Sequence, residues 1–148
     1  MASTMHINRE IDHEFLLVAM RSDGIVTVYI KSHTEINITL QKDMIKIYNE
    51  LTGGKKAVFL FEAGEFVSIT KEARSYAIRM EKDTPTYASA ILVKNLGHKI
   101  IADFYYKVNR PKQPYRIFWQ KDKAIEWLKE MQVELQAKHD DRQYLNTH

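Results

Sequence analysis

None of the 148 residues is a cysteine, which excludes disulfides, thiolate catalysis and cysteine-ligated zinc. The five glycines form no phosphate-cradling loop, because Gly53-Gly54 follows a predicted helix instead of opening one. No serine sits in a Gly-x-Ser-x-Gly elbow. No apolar run approaches the roughly 18 residues that a membrane span needs, so no membrane span is expected. The first eight residues lack the basic-then-apolar pattern of a signal peptide, and a cytoplasmic protein is expected. The histidines His6, His13, His33, His98, His139 and His148 include no pair at metal-ligand spacing. They read as surface residues, and neither metal nor cofactor is expected.

What the chain does contain suits one α/β domain. It is 45% apolar and 28% charged, ordinary for a globular protein. Its length supports a single core without metal or disulfide staples. The net charge of +3 comes from the C-terminal part. Residues 1–90 hold 11 Lys/Arg against 12 Asp/Glu, and residues 91–148 hold 11 against 7. These basic residues are spread along helix surfaces beside Asp103, Glu126 and Glu130, not gathered in the stripe of a nucleic-acid binder. No nucleic-acid partner is expected.

Periodicity gives the element order. The run 15–20, the turn Ser22-Asp23-Gly24 and the run 25–30 read as an antiparallel hairpin, since Asp-Gly tolerates the positive φ of a tight turn. Leu40, Met44, Ile47, Tyr48 and Leu51 form one helical stripe. Thr39 is the expected N-cap, and Gly53 the left-handed residue past the end. The unbroken apolar run 56–61 reads as a strand buried on both faces. A second helix follows over 71–80, then a strand over 87–94. A third helix starts near Asn95, with Leu96, Ile100, Phe104 and Val108 as its inward stripe. Arg110-Pro111 stops it. A short strand at 115–119 and a helix carrying Ala124, Leu128, Met131 and Leu135 complete the order β-β-α-β-α-β-α-β-α. Helical crossovers of this length imply a mostly parallel five-stranded sheet with an antiparallel first strand. The domain is expected over 9–135, with flexible or frayed ends at 1–8 and 136–148. Leu60, Leu92, Ile100, Phe104 and Leu128 are expected to be almost fully buried.

The working surface is expected where the strand over 56–61 runs into the second helix, beyond the carboxyl end of the sheet. That loop carries Phe66, Val67, Ser68 and Thr70. Thr70 reads as a helix N-cap and Ser68 as a loop hydroxyl. Phe66 and Val67 either fold back onto the core or form an exposed patch. Glu62 and Glu65 are a weak candidate for a hard cation. Asp103 lies one turn from both Lys99 and Lys107, as surface ion pairs do. The aromatic residues of the C-terminal third, Trp127 and Phe118 above all, are spaced for packing and not for base stacking.

Several segments resemble a known family. Asp23-Gly24-Ile25-Val26, Ser68-Ile69-Thr70-Lys71-Glu72-Ala73-Arg74 and Ala90-Ile91-Leu92-Val93-Lys94 are similar to bacterial STAS/SEC14 domain-containing proteins of the SpoIIAA-like group, in its less characterised branch. So are residues 109–118 and Ala124-Ile125-Glu126-Trp127-Leu128. The resemblance covers about residues 23–128 and implies a STAS-like fold. In anti-sigma-factor antagonists of this fold, a serine before the second helix is phosphorylated within an Asp-Ser-Ser/Thr-Gly-like motif. Ser68 falls in that neighbourhood and is the possible phosphorylation site, although the Asp-Ser pair and the glycine are missing here. The resemblance implies a non-enzymatic module that binds a protein partner through Phe66, Val67, Ser68, Thr70 and Arg74. The SEC14 side of the group implies the alternative, a carrier of a small apolar or lipid-like ligand. An enzyme is the third reading. A filled core with an exposed loop patch would favour the first, and an apolar pocket of about 300 Å³ or more the second.

Overall fold

The computed structural model describes residues 7–147. Strands β1 (Ile7–Asp12), β2 (Leu16–Arg21) and β3 (Val26–Ile30) form an antiparallel meander. The β2–β3 turn holds Gly24 at φ +83°, and the Asp23 side chain accepts from the Ile25 N–H at 3.2 Å. The expected Asp-Gly hairpin is therefore present. Strands β5 (Ala57–Ala63), β7 (Thr86–Leu92) and β8 (Tyr115–Phe118) continue the sheet from β3 in parallel, in the order β1-β2-β3-β5-β7-β8. Two short strands, β4 (Glu35–Ile36) and β6 (Ser68–Ile69), pair beside it.

Alternation along the parallel strands divides the core in two. Val58 and Leu60 of β5 and Ala88, Ala90 and Leu92 of β7 face α4 (Lys121–Thr147), where Ala124 and Leu128 are buried. On the other face, Phe59 packs with Leu40, Met44, Ile47 and Tyr48 of α1 (Ile38–Thr52) and Ala73 of α2 (Lys71–Arg79). This is the two-sided burial that the unbroken apolar run implies. Helix α3 (Leu96–Asn109) follows β7.

The α/β class and the SpoIIAA-like order stand, with corrections. The sheet has six strands, not five, and two antiparallel pairs. The added strand β1 reads Ile-Asn-Arg-Glu-Ile-Asp, whose interspersed charges suit a sheet edge and hide it from an apolar-run search. Both β1 and α4 extend beyond the 9–135 bounds, because β1 starts at Ile7 and α4 continues to Thr147. Residues 1–6, with His6, and His148 lie outside the described residues. The N-cap of α1 is Asn37, whose side chain accepts from the Leu40 N–H at 2.9 Å, and not Thr39.

The largest correction concerns α3. Leu60, Leu92 and Leu128 are buried as expected, but Ile100 is 60% and Phe104 51% exposed. Leu96 and Val108 on the same stripe are exposed too, and Ala102 is the buried residue of this helix. The apolar stripe and the buried Ala102 lie on different sides of the helix. Periodicity therefore finds an apolar stripe without saying which side meets the sheet.

Candidate functional site

The segment between β5 and α2 is held by close contacts to the β3–β4 connection. Gly64 donates its N–H to the Ile30 carbonyl at 2.8 Å, Glu65 donates to Ser32 Oγ at 3.0 Å, and His33 donates to the Glu65 carbonyl at 2.8 Å. A Cβ on Gly64 would collide with Ser32 Oγ and meet the Ser32 backbone nitrogen at 2.7 Å, so only glycine fits without movement. The next turn places Phe66 at φ +57°, stacked on His33 with ring centroids 5.3 Å apart.

The five expected site residues do not form one surface. Phe66 is 76% exposed, whereas Val67 packs on the α1-side core. Ser68 is exposed, and its N–H donates to the Thr34 carbonyl at 3.0 Å. The Thr70 hydroxyl caps α2 by accepting from the Ala73 N–H at 3.0 Å. Arg74 turns to α3, its guanidinium 4.8 Å from the centre of the Phe104 ring. Glu62 pairs with Lys94 at 3.2 Å, and no group of three or more metal-binding side chains occurs among the described residues. Asp103 pairs with Lys99 at 2.6 Å.

What the segment does line is a cavity. A space of about 270 Å³ lies between the sheet and helices α1, α2 and α3, walled by Val67, Ser68 and Ile69 on the loop side. Its floor includes Phe61, Ser89 and Ile91, and α1 contributes Met44 and Tyr48. Helix α3 and the approach to β8 line its other side with Ile101, Ala102, Tyr105 and Tyr115, and the space is half open to solvent. Small residues at Ala77, Ser89 and Ala102 leave this space where larger side chains would have filled it. The lining is overwhelmingly apolar. Its volume falls slightly below the lower end of the range for ligand pockets, about 300 Å³.

The polar groups around this space fall into two kinds. Those at the margin are engaged: Glu81 accepts from the Lys112 N–H at 3.1 Å and the Gln113 N–H at 3.3 Å, and Glu62 holds Lys94. The Tyr115 hydroxyl donates to the Ala102 carbonyl at 3.2 Å. Burial, with a smaller contribution from the Glu81 charge, pushes the Tyr105 phenol up to about 12. Tyr115 is raised by burial first and then by Tyr105 and Asp103. Tyr48 is different. Its hydroxyl is buried without a hydrogen-bond partner, and burial raises its pKa far above that of an ordinary phenol.

Sequence reasoning reached the loop but missed the cavity behind it. Tyr48 falls on the buried stripe of α1, and its spacing carries no sign of the space beside it. One signal was available: Ser89 interrupts the buried strand β7 between Ala88 and Ala90.

A six-stranded mixed sheet with α4 on one face and α1 to α3 on the other has the architecture of a SpoIIAA-like α/β fold. A solved structure of an uncharacterized protein from the DUF3478 family, from Shewanella loihica PV-4 and described as having a SpoIIAA-like fold, matches it with a TM-score of 0.55. The two chains are 14% identical, and the match covers 84% of this chain and 98% of the other. The particular family is given by sequence: residues 19–132 match the family model described as Domain of unknown function (DUF7793), and the chain belongs to that family. No curated protein matches the chain. No helix among the described residues is long and apolar enough to cross a membrane.

Proposed function

We propose that this SpoIIAA-like module is non-enzymatic and binds a small apolar or lipid-like ligand in the cavity beneath α3. The cavity itself carries this reading: about 270 Å³ of mainly apolar space bounded by three helices and the sheet. An apolar cleft of that size leaves apolar surface that the body of a ligand would bury. Glu62, Glu81 and Tyr115 at its rim are already paired, so these three are not free to serve as acid or base. The test is titration with the neutral fluorescent probe N-phenyl-1-naphthylamine, using the wild type and Ser89→Phe. Ser89→Phe should fill the floor and weaken binding at least tenfold while the chain still melts cooperatively. Wild-type protein that leaves the probe's fluorescence unchanged would rule the reading out.

A second reading rests on a different observation, the exposure of Phe66 at the tip of the β5–α2 segment. Here a protein partner contacts Phe66 and Ser68, with Val67, Thr70 and Arg74 shaping the surface from behind. Phosphate on Ser68 would add roughly −1.5 to −2 charge near the α2 N-terminus, which the helix tolerates. The switch would therefore act on the partner and not on the fold. Ser68→Asp should keep the wild-type melting temperature and lose bound proteins in a quantitative pull-down. Unchanged recovery, together with no phosphate on Ser68 in protein from its native cell, would leave the loop a purely structural role.

A further inference from the structure

We propose that the outward face of α3 docks on an anionic lipid surface, with the helix lying in the membrane–water interface and not crossing it. The inference uses the side of α3 turned away from the cavity and stands independently of the ligand-binding reading. His98, Ile101, Ala102 and Tyr105 line the cavity, at the i, i+3, i+4, i+7 spacing of an inward stripe. Leu96, Ile100, Phe104 and Val108 form the opposite stripe, and each is more than half exposed. A surface helix ordinarily turns polar side chains to water. An outward apolar row over about 18 Å of helix therefore marks a contact site.

Charge indicates what covers it. Residues 94–112 contain Lys94, Lys99, Lys107, Arg110 and Lys112 against Asp103 alone, a balance of +4. The whole chain carries +3, so everything outside this segment amounts to −1. Lys94 pairs with Glu62 at 3.2 Å and Lys99 with Asp103 at 2.6 Å. The side chains of Lys107, Arg110 and Lys112 form no ion pair among the described residues. Glu81, the carboxylate at this end of the helix, accepts the Lys112 and Gln113 N–H groups. Lys107 lies three residues from Phe104 and so beside it on the helix surface. From α2, Arg74 adds a guanidinium 4.8 Å from the centre of the Phe104 ring.

An apolar row flanked by cations is what an interfacial helix requires. Its apolar side chains sink about 5–10 Å to the acyl boundary, while Lys and Arg extend their stems along them and leave the charge among the headgroups. A helical protein partner fits a groove, and α3 offers the convex side of a single helix. A second copy would bring one +4 segment against another, which like charge opposes.

The experiment is co-sedimentation of the full chain with vesicles of phosphatidylcholine, alone or with about 30% phosphatidylglycerol. Wild type should bind the anionic vesicles about tenfold or more tightly than the neutral ones, and high salt should remove most of that difference. Leu96→Ser combined with Ile100→Ser should weaken binding to both vesicles about tenfold. Both side chains are already mostly in water, so the thermal melt should stay close to that of wild type. Lys107→Gln combined with Lys112→Gln should weaken binding to the anionic vesicles about tenfold and leave the neutral ones unchanged. This second pair decides the matter even where the serine pair lowers stability. Wild type left in the supernatant, equal binding to the two vesicles, or a folded serine pair that binds like wild type would overturn the proposal. So would a dimer that the serine pair dissolves in the absence of any vesicle binding, which would give the face to a second copy.

Discussion

Leu128 and Phe104 are both apolar helix residues on predicted inward stripes, yet their environments differ. Leu128 is fully buried under the sheet, and Phe104 is half exposed beneath the Arg74 guanidinium. Leu128→Ala should therefore cost about 2–5 kcal/mol, the transfer cost plus a cavity. Phe104→Ala should cost about 1–2 kcal/mol, since it forfeits partial burial and one partly buried cation–π contact. Denaturant melts of the two variants check the pair, and equal losses would place α3 differently. Gly64 provides a backbone counterpart. Gly64→Ala forces a Cβ onto Ser32, including its backbone nitrogen, so it should lower stability by about 1–3 kcal/mol. Replacement of Gly53, which has open space around its Cβ position, meets only the left-handed strain at φ +66°.

Among the elements, the helix ends carry the most specific expectations. Asn37 and Thr70 each accept a bond from an N–H three residues on, so Asn37→Ala and Thr70→Ala should each cost about 0.5–2 kcal/mol. Thr39 lies inside the first turn of α1, and Thr39→Ala should change stability by less than about 0.5 kcal/mol. Thermal melts of the three variants separate capping from mere proximity to a helix start. Thr70 was legible as a cap because it stands directly before an amphipathic run. Asn37 was not, because α1 begins with Ile38 and Thr39, ahead of the first residue of the recognised stripe. Strand β1 escaped for a related reason: an edge strand needs no apolar run to be hydrogen-bonded to its neighbour.

For the whole molecule, three phenols tie stability to alkaline pH. Tyr48, Tyr105 and Tyr115 all have pKa values raised by burial, whereas the unfolded chain ionises its tyrosines near pH 10. Above that pH the unfolded state binds fewer protons than the folded one, so stability is complete below about pH 10 and falls as pH rises beyond it. Urea melts between pH 8 and 11 should show this loss, and Tyr48→Phe should make it shallower. An unchanged slope in that variant would remove Tyr48 from the linkage. By itself, the sequence determined the α/β class, the Asp-Gly hairpin, the doubly buried central strand and the helix order, because period and turn chemistry are local properties of the chain. Only the tertiary structure decided that the α3 stripe faces out, that Val67 packs inward while Phe66 does not, and that Tyr48 borders a cavity. Each of these depends on contacts between elements distant in sequence. Ala77, Ser89 and Ala102 line that cavity from three separate elements, and no single segment's pattern records it.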